Sequence, residues 1–261
     1  MKANIYIANA FAEKQFGGNP AAVVPLNEWL AEDLMQQIAA QNNLAETAYI
    51  VPRGKDYEIR WFTPGVEVAL CGHATLASAH VLFNHLGYSA AELVFHSKSG
   101  PLRVDRRTDG MITLDFPAVR PVLTADDGLI EKALGIRPVA VYTSKFDYLA
   151  VLESQQDIET LKPDLGLVKK LSARGLIVTA PGLTTDFVSR CFFPQSGIDE
   201  DPVTGSAHCV MVPYWATRTG KNKLTAIQWS ARKGYLECEL AGDRVLMSGH
   251  AHTYLTGEFY Y

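Results

Sequence analysis

Two stretches of the chain place reactive side chains where a helix is expected to begin. The first is Cys71-Gly72-His73, which leads into a run without formal charge that lasts to Gly87. The free N–H groups at such a helix start, here those of Gly72, His73 and Ala74, favour a bound anion. The positive end of the helix dipole would lower the pKa of His73 and favour its neutral imidazole.

The second stretch is Asp201-Pro202, followed by Gly205-Ser206-Ala207. Asp before Pro is typical of a helix N-cap and first helical residue, which gives Asp201 a structural interpretation. The small residues that follow offer free N–H groups on which a carboxylate could dock. No G-x-S-x-G elbow surrounds Ser206, so a hydrolase is not expected.

A third candidate is Glu46, within a predicted strand over residues 44–51. In a strand its side chain shares a face with Leu44, Ala48 and Ile50. A carboxylate on an apolar face is unusual, because burying a charge without partners is costly. The alternative is an edge-strand Glu that reaches solvent, and the strand pattern leaves both interpretations open.

Cysteine and histidine spacing argues against a structural metal site. The pairs Cys71/His73, His208/Cys209 and His250/His252 lack the spacing of such a zinc site. The four cysteines form no C-x-x-C pair, and the N-terminus has no long apolar signal region. We therefore expect no metal and a reducing, cytoplasmic setting.

Length and composition are those of a globular protein with two domains. The 261 residues suit two domains of about 130 each, and 48% hydrophobic with 20% charged residues is ordinary for a protein with a large core. A net charge of −4 with no basic stripe argues against a nucleic-acid partner. The uncharged run is shorter than the roughly 18 residues that a membrane span requires.

The second half of the chain repeats the first. Arg60-Trp-Phe-Thr-Pro64 is matched by Arg190-Cys-Phe-Phe-Pro194, and each is followed by an uncharged run. Self-similarity at half the chain length indicates duplication. A helix that is apolar all round belongs inside a domain, so residues 74–86 and 204–217 are predicted to be equivalent central helices. Gly87 is expected to close the first helix, and Pro213 is expected to kink the second.

Five motifs, in chain order, resemble the PhzF-like phenazine-biosynthesis family. They are Gly18-Asn-Pro-Ala-Ala-Val-Val24, Leu44-Ala-Glu-Thr-Ala48, Phe62-Thr-Pro64 with Glu67, Cys71-Gly-His-Ala-Thr75 and Glu200-Asp-Pro-Val-Thr-Gly-Ser-Ala207. The resemblance implies the α+β diaminopimelate-epimerase fold. Two similar domains each wrap a curled, barrel-like, mixed but mostly antiparallel sheet around a central helix, with the site in the cleft between them. We expect domains at residues 1–117 and 118–261, and leave open a return of the last strand to the first domain.

The resemblance also implies roles for individual residues. Glu46 matches the family's proton-shuttling glutamate, and His73 and Asp201 match residues that assist the transfer. The expected substrate-binding residues are Asn19, Gly72, Ala74, Gly205, Ser206 and Ala207. The characterised family reaction moves a proton within dihydro-hydroxyanthranilate, and one carboxylate can act as base and then acid without a cofactor. The expectation is a cofactor-independent, homodimeric isomerase of a small carboxylate, with no nucleic-acid or membrane partner.

Two other functions remain open. A two-cysteine racemase or epimerase on this fold needs one thiol per domain. Cys71 could supply one, but the motif at Asp201 contains none, and Cys209 falls inside the predicted helix. A non-catalytic ligand-binding protein is the other alternative, against which the presence of Glu46, His73 and Asp201 argues. The fold leaves the physiological substrate and its pathway open.

Overall fold

The chain divides into two compact units. The structure, a computed structural model, describes residues 1–261. One unit comprises residues 1–115 and 248–261, and the other comprises residues 116–247. The boundary thus lies two residues before the expected 117/118 junction, and the C-terminal segment belongs to the first unit. No helix is both long enough and apolar enough to span a membrane.

The first unit begins with eight strands and two helices. The strands are β1 (Lys2–Ala10), β2 (Asn19–Pro25), β3 (Glu46–Arg53), β4 (Asp56–Phe62), β5 (Glu67–Val68), β6 (Glu92–Ser97), β7 (Gly100–Arg106) and β8 (Ile112–Pro117). The helices are α1 (Glu32–Asn42) and α2 (Gly72–His85).

The second unit contains nine strands, four helices and one short 3₁₀ turn. The strands are β9 (Val122–Thr124), β10 (Ala140–Thr143), β11 (Asp147–Val151), β12 (Gly175–Pro181), β13 (Phe187–Phe193), β14 (Ile198–Asp201), β15 (Lys223–Gln228), β16 (Gly234–Ala241) and β17 (Arg244–Gly249). The helices are α3 (Leu129–Leu134), α4 (Gln155–Thr160), α5 (Leu165–Val168) and α6 (Gly205–Thr219), and the 3₁₀ turn is Pro194–Ser196. The last strand, β18 (Ala251–Tyr260), pairs with β1 of the first unit.

The two units repeat one topology. In the first, β1–β2 is antiparallel, β2–β3 parallel, β3–β4 antiparallel, β4–β6 parallel and β6–β7 antiparallel. The second has the same sequence of pairings through β10, β11, β12, β13, β15 and β16. Helix α2 follows β5, and α6 follows β14 at the equivalent point. Within each unit these pairings are mixed and mostly antiparallel, as the family resemblance implies, although all 18 strands belong to one hydrogen-bonded sheet rather than to one sheet per unit.

The helices α2 and α6 lie inside their units. Ten of the 14 residues of α2 and ten of the 15 residues of α6 are buried. This burial explains why α2 carries no formal charge and why α6 carries none before Arg218. Gly87 follows α2 with a left-handed φ of 71°, as predicted for the residue that closes this helix. Pro213 lies within α6, and a kink there stays a prediction.

The polar sequence of residues 157–172 predicts a surface segment, but in the structure this segment contributes to the core. It contains most of α4 and all of α5, and Ile158 and Val168 are completely buried. Both pack in the hydrophobic cluster of the second unit. Because most residues of this segment are polar, the sequence pattern did not reveal that Ile158 and Val168 face inward from helices of only six and four residues.

A repeated arginine fork fixes the strand that leads into each central helix. Arg60 on β4 donates two hydrogen bonds, of 2.8 and 2.7 Å, to the carboxylate of Glu67 on β5. Arg190 on β13 donates two, of 2.7 and 2.9 Å, to Glu200 on β14. Because a bidentate pair has a defined geometry, each fork holds the chain just before α2 or α6 begins.

Candidate active site

Glu46 and His73 meet in the first unit. Glu46 is the first residue of β3 and His73 the second residue of α2, and their side chains are only 12% and 6% exposed. Nε2 of His73 lies 3.1 Å from Oε2 of Glu46. The two atoms are close, but they are not aligned as a hydrogen bond, and neither has another partner in the protein. Buried polar atoms normally have partners, so this pair retains bonding capacity for a ligand.

Asn19 and Cys71 contact the other nitrogen of the same ring. Asn19 Nδ2 lies 3.2 Å from His73 Nδ1, and Cys71 Sγ lies 3.5 Å from it. Asn19 is completely buried at the start of β2, and Cys71 is the N-cap of α2. These contacts fix the orientation of the imidazole, since a ring held at one nitrogen presents the other in a defined direction.

The charge of His73 is set by its neighbours. Burial opposes a charge on the ring, but Cys71 and Glu46 raise its pKa, which lies well above the ordinary value. Burial raises the pKa of the Cys71 thiol to about 11, so the thiol is neutral at pH 7 and the Glu46 carboxylate is the partner that favours the imidazolium. The expectation of a lowered pKa for His73 is therefore wrong, because it considered only the helix dipole. A doubly protonated ring requires the Asn19 amide to present its oxygen, which a 180° rotation achieves without a change of shape.

The same residues are the one group in the chain that could hold a metal ion. The ligand atoms of Glu46, Cys71 and His73 lie within 4.8 Å of one another. Thiolate and imidazole suit Zn²⁺, but the metal would first have to displace the proton of a buried thiol with a pKa of about 11. The absence of a metal from the reaction stays a prediction.

Two local features of the backbone position this group. Asn43 closes α1 in the left-handed conformation, with φ of 50°, and turns the chain into β3 so that Glu46 opens the strand. Gly18, just before Asn19, has φ of 67°, and a Cβ there would lie 2.2 Å from the carbonyl oxygen of Ala10. Glycine is therefore required at the turn that delivers Asn19.

The second unit holds the other predicted residues. Asp201 is the last residue of β14 rather than the N-cap of α6, so its structural interpretation from sequence was wrong. The N-cap is Thr204, whose hydroxyl instead donates to Asp201 Oδ2 at 2.6 Å. Gly205, Ser206 and Ala207 form the first turn of α6, as predicted.

Sequence reasoning missed Arg174 and Asp147. Arg174 Nη2 donates to Ser206 Oγ at 3.0 Å, and its Nε and Nη2 bind Asp147 at 2.9 and 2.6 Å. Neither residue lies in a recognisable motif, and they are 27 positions apart. The only available signal was an arginine immediately before Gly175.

Comparison with known proteins decides the family. The model of the family described as "Phenazine biosynthesis-like protein", PhzC-PhzF, matches residues 8–257. The chain belongs to this family. An uncharacterized isomerase of Pseudomonas aeruginosa is 51% identical over 251 residues, with 96% of each chain covered. A PhzF-family crystal structure from Enterococcus faecalis is 45% identical, covers 100% of both chains and has a TM-score of 0.97. The chain is thus an isomerase, and the predicted fold class is confirmed.

A more distant likeness shows the fold alone. A hydroxyproline epimerase of Agrobacterium vitis is 10% identical, covers 98% of this chain and 92% of its own, and has a TM-score of 0.61. In this PhzF-like isomerase, Cys71 and Thr204 are the N-caps of the two central helices, so only one helix start carries a thiol. Cys209 lies within α6, where burial raises its pKa to about 12.

Proposed function

We propose that the protein moves a proton within a small, carboxylate-bearing substrate without a cofactor, and that Glu46 acts first as base and then as acid. The observation that carries this proposal is the buried pair of Glu46 and His73, 3.1 Å apart and unmatched by other partners. A single carboxylate can remove a proton from one carbon and return it to another, with no oxidation or reduction.

The neighbouring residues have supporting roles in this proposal. His73 lies 3.1 Å from the Glu46 carboxylate and positions it to accept a proton. Asn19 fixes the ring, and Asp201, held by Thr204, assists the transfer. The first turns of α2 and α6 offer N–H donors to the carboxylate of the substrate. The location of the substrate in a cleft between the units rests on the family resemblance.

The proposed reaction resembles that of trans-2,3-dihydro-3-hydroxyanthranilate isomerase. The family description, which names phenazine biosynthesis, supports this choice of first substrate. We further propose a cytoplasmic protein, since its four cysteines are all free and buried. We also propose that it has no nucleic-acid or membrane partner, since its net charge is −4 and its sequence has no basic stripe. We also propose a homodimer, and sedimentation that gives a monomer at micromolar concentration would contradict it.

The two alternatives have less support. A two-thiol racemase needs a second reactive cysteine, but Thr204 occupies the position equivalent to Cys71. A binding protein without activity could use the same unpartnered atoms to hold a ligand, and turnover of a substrate is the observation that excludes it.

The reaction class can be tested with trans-2,3-dihydro-3-hydroxyanthranilate in heavy water, followed by proton NMR and mass spectrometry. We expect an isomerised product with deuterium at the reprotonated carbon, because the Glu46 proton exchanges with solvent during turnover. A panel of related unsaturated carboxylates extends the test to other substrates. Turnover that requires an added metal or nicotinamide cofactor would contradict the proposal.

A further inference from the structure

The two units carry different side chains at equivalent points of their shared topology. Glu46 is the first residue of β3, and Gly175 is the first residue of β12. His73 and Ser206 are each the second residue of a central helix. In the first unit Glu46 lies 3.1 Å from His73, and in the second Arg174, just before Gly175, donates to Ser206 at 3.0 Å. An acid–base pair in one unit thus corresponds to a cation–hydroxyl pair in the other.

The second unit cannot place a side chain where the first has Glu46. A Cβ on Gly175 would lie 2.1 Å from Cδ1 of Phe193 and 2.5 Å from the carbonyl oxygen of Phe192. Neither a carboxylate nor a thiol can therefore occupy this position without rearrangement of the core. The adjacent Arg174 is the residue that reaches the helix start instead.

The guanidinium group of Arg174 is held in place, but not all of its N–H donors have hydrogen-bond partners. Its Nε and Nη2 bind both oxygens of Asp147, which is only 2% exposed. The group also lies over the rings of Phe146 and Phe193, at 5.7 and 5.1 Å from their centroids. Nη1 makes no hydrogen bond within the protein, and the side chain is 39% exposed. Two N–H donors thus remain on a group with a fixed orientation.

We propose that Arg174 is a specificity-determining residue for the anionic group of the substrate. Because Ser206 Oγ accepts a hydrogen bond from Nη2, its own hydroxyl proton is available to donate to an oxygen of the substrate. Nη1 donates to the same anionic group, as arginine does in carboxylate recognition. This inference rests on the proposed function in one respect, namely that the substrate is a carboxylate.

The test measures binding of benzoate and of its neutral analogue benzamide by isothermal titration calorimetry. Wild type should bind benzoate more tightly than benzamide. Arg174→Gln should weaken benzoate binding at least tenfold, Arg174→Lys should weaken it less, and Ser206→Ala should weaken it too. Benzamide affinity should stay within a factor of two in all variants. With an isomerised substrate, Arg174→Gln should raise KM and leave kcat largely unchanged, which a general structural defect would not do.

Removal of Arg174 alone leaves the Asp147 carboxylate buried without its partner, which can unfold the variant. The double variant Asp147→Asn/Arg174→Gln removes both charges, and circular dichroism confirms that it is folded. A folded double variant that binds benzoate as tightly as wild type overturns the proposal, as does a wild type that shows no preference for benzoate. Glu46→Gln separates the two claims, since it should retain benzoate binding. Loss of benzoate preference in Arg174→Gln with unchanged turnover in Glu46→Gln would refute the proposed function alone.

Discussion

Acid should destabilise the second unit through His208. This residue is completely buried in α6, and its Nδ1–H donates to the carbonyl oxygen of Thr204 at 2.8 Å. Its Nε2 has no partner. Burial lowers the pKa of His208 from 6.5 to about 4, although the bond to Thr204 partly opposes this. The native ring is therefore neutral at pH values where the unfolded ring is charged.

The direction and size of the effect follow from proton linkage. Below pH 6.5 the unfolded chain binds a proton at His208 that the folded chain does not, until the pH reaches about 4. The contribution of His208 to stability is thus intact above pH 6.5 and is lost as the pH falls. The loss is about 2 kcal/mol at pH 5 and about 3 kcal/mol by pH 4.

Urea unfolding of wild type and His208→Asn at pH 7.5 and pH 5.0 measures this loss. Asn keeps an N–H donor near the Nδ1 position but does not titrate. The variant should be less stable than wild type at pH 7.5, because the smaller side chain leaves a cavity. Between pH 7.5 and pH 5.0, however, its free energy of unfolding should fall by about 2 kcal/mol less than that of wild type. The pKa of His80 is also lowered to about 4, by burial and then by His85 and His252, but this residue is present in both proteins and cancels. If the free energy of unfolding had the same pH dependence in the two proteins, the claim that folded His208 is buried and neutral would be refuted.

Three further changes test other parts of the structure. Cys71→Ala should retain most activity, and wild type should stay active in the presence of a chelator, because the Cys71 thiol is neutral at pH 7. Kinetic assays that find the variant and the chelator-treated wild type both inactive would indicate a metal site. Asp201→Asn should lower kcat, and an unchanged kcat would exclude Asp201 from the transfer. Gly175→Ala should lower stability by about 1–3 kcal/mol in thermal melts, because its Cβ would lie 2.1 Å from Phe193. Gly65→Ala is the matched control, since its Cβ would meet nothing within 4 Å, and equal loss in both would contradict the packing argument.

Features that depend on local sequence were the predictable part of the fold. The central helices could be located because a charge-free run longer than a dozen residues must be buried. Gly87 could be assigned as the residue that closes α2, because the left-handed conformation favours glycine. The duplication could be detected because the motif that begins at Arg60 recurs at Arg190, and in the structure both arginines make the same fork.

Features that depend on distant contacts could not be predicted. The strand pattern could not decide whether Glu46 was buried, since that depends on His73, which reaches it from another element. The charge of His73 was misjudged for the same reason. Arg174 was missed because its partner Ser206 lies 32 positions away. Asp201 was misassigned because its hydrogen bond to Thr204 competes with helix capping.

The most direct test of the central claim compares Glu46→Gln with wild type on an isomerised substrate in heavy water. Gln keeps the shape of Glu but cannot act as a base, so turnover should fall by about 10²–10⁴-fold, or about 3–5 kcal/mol in the barrier. Deuterium should appear at the reprotonated carbon in the wild-type product. The exposed control Glu28→Gln should match wild type in both respects. Undiminished turnover and deuterium incorporation in Glu46→Gln would contradict the account, and an inactive Cys71→Ala beside it would indicate thiol-based chemistry.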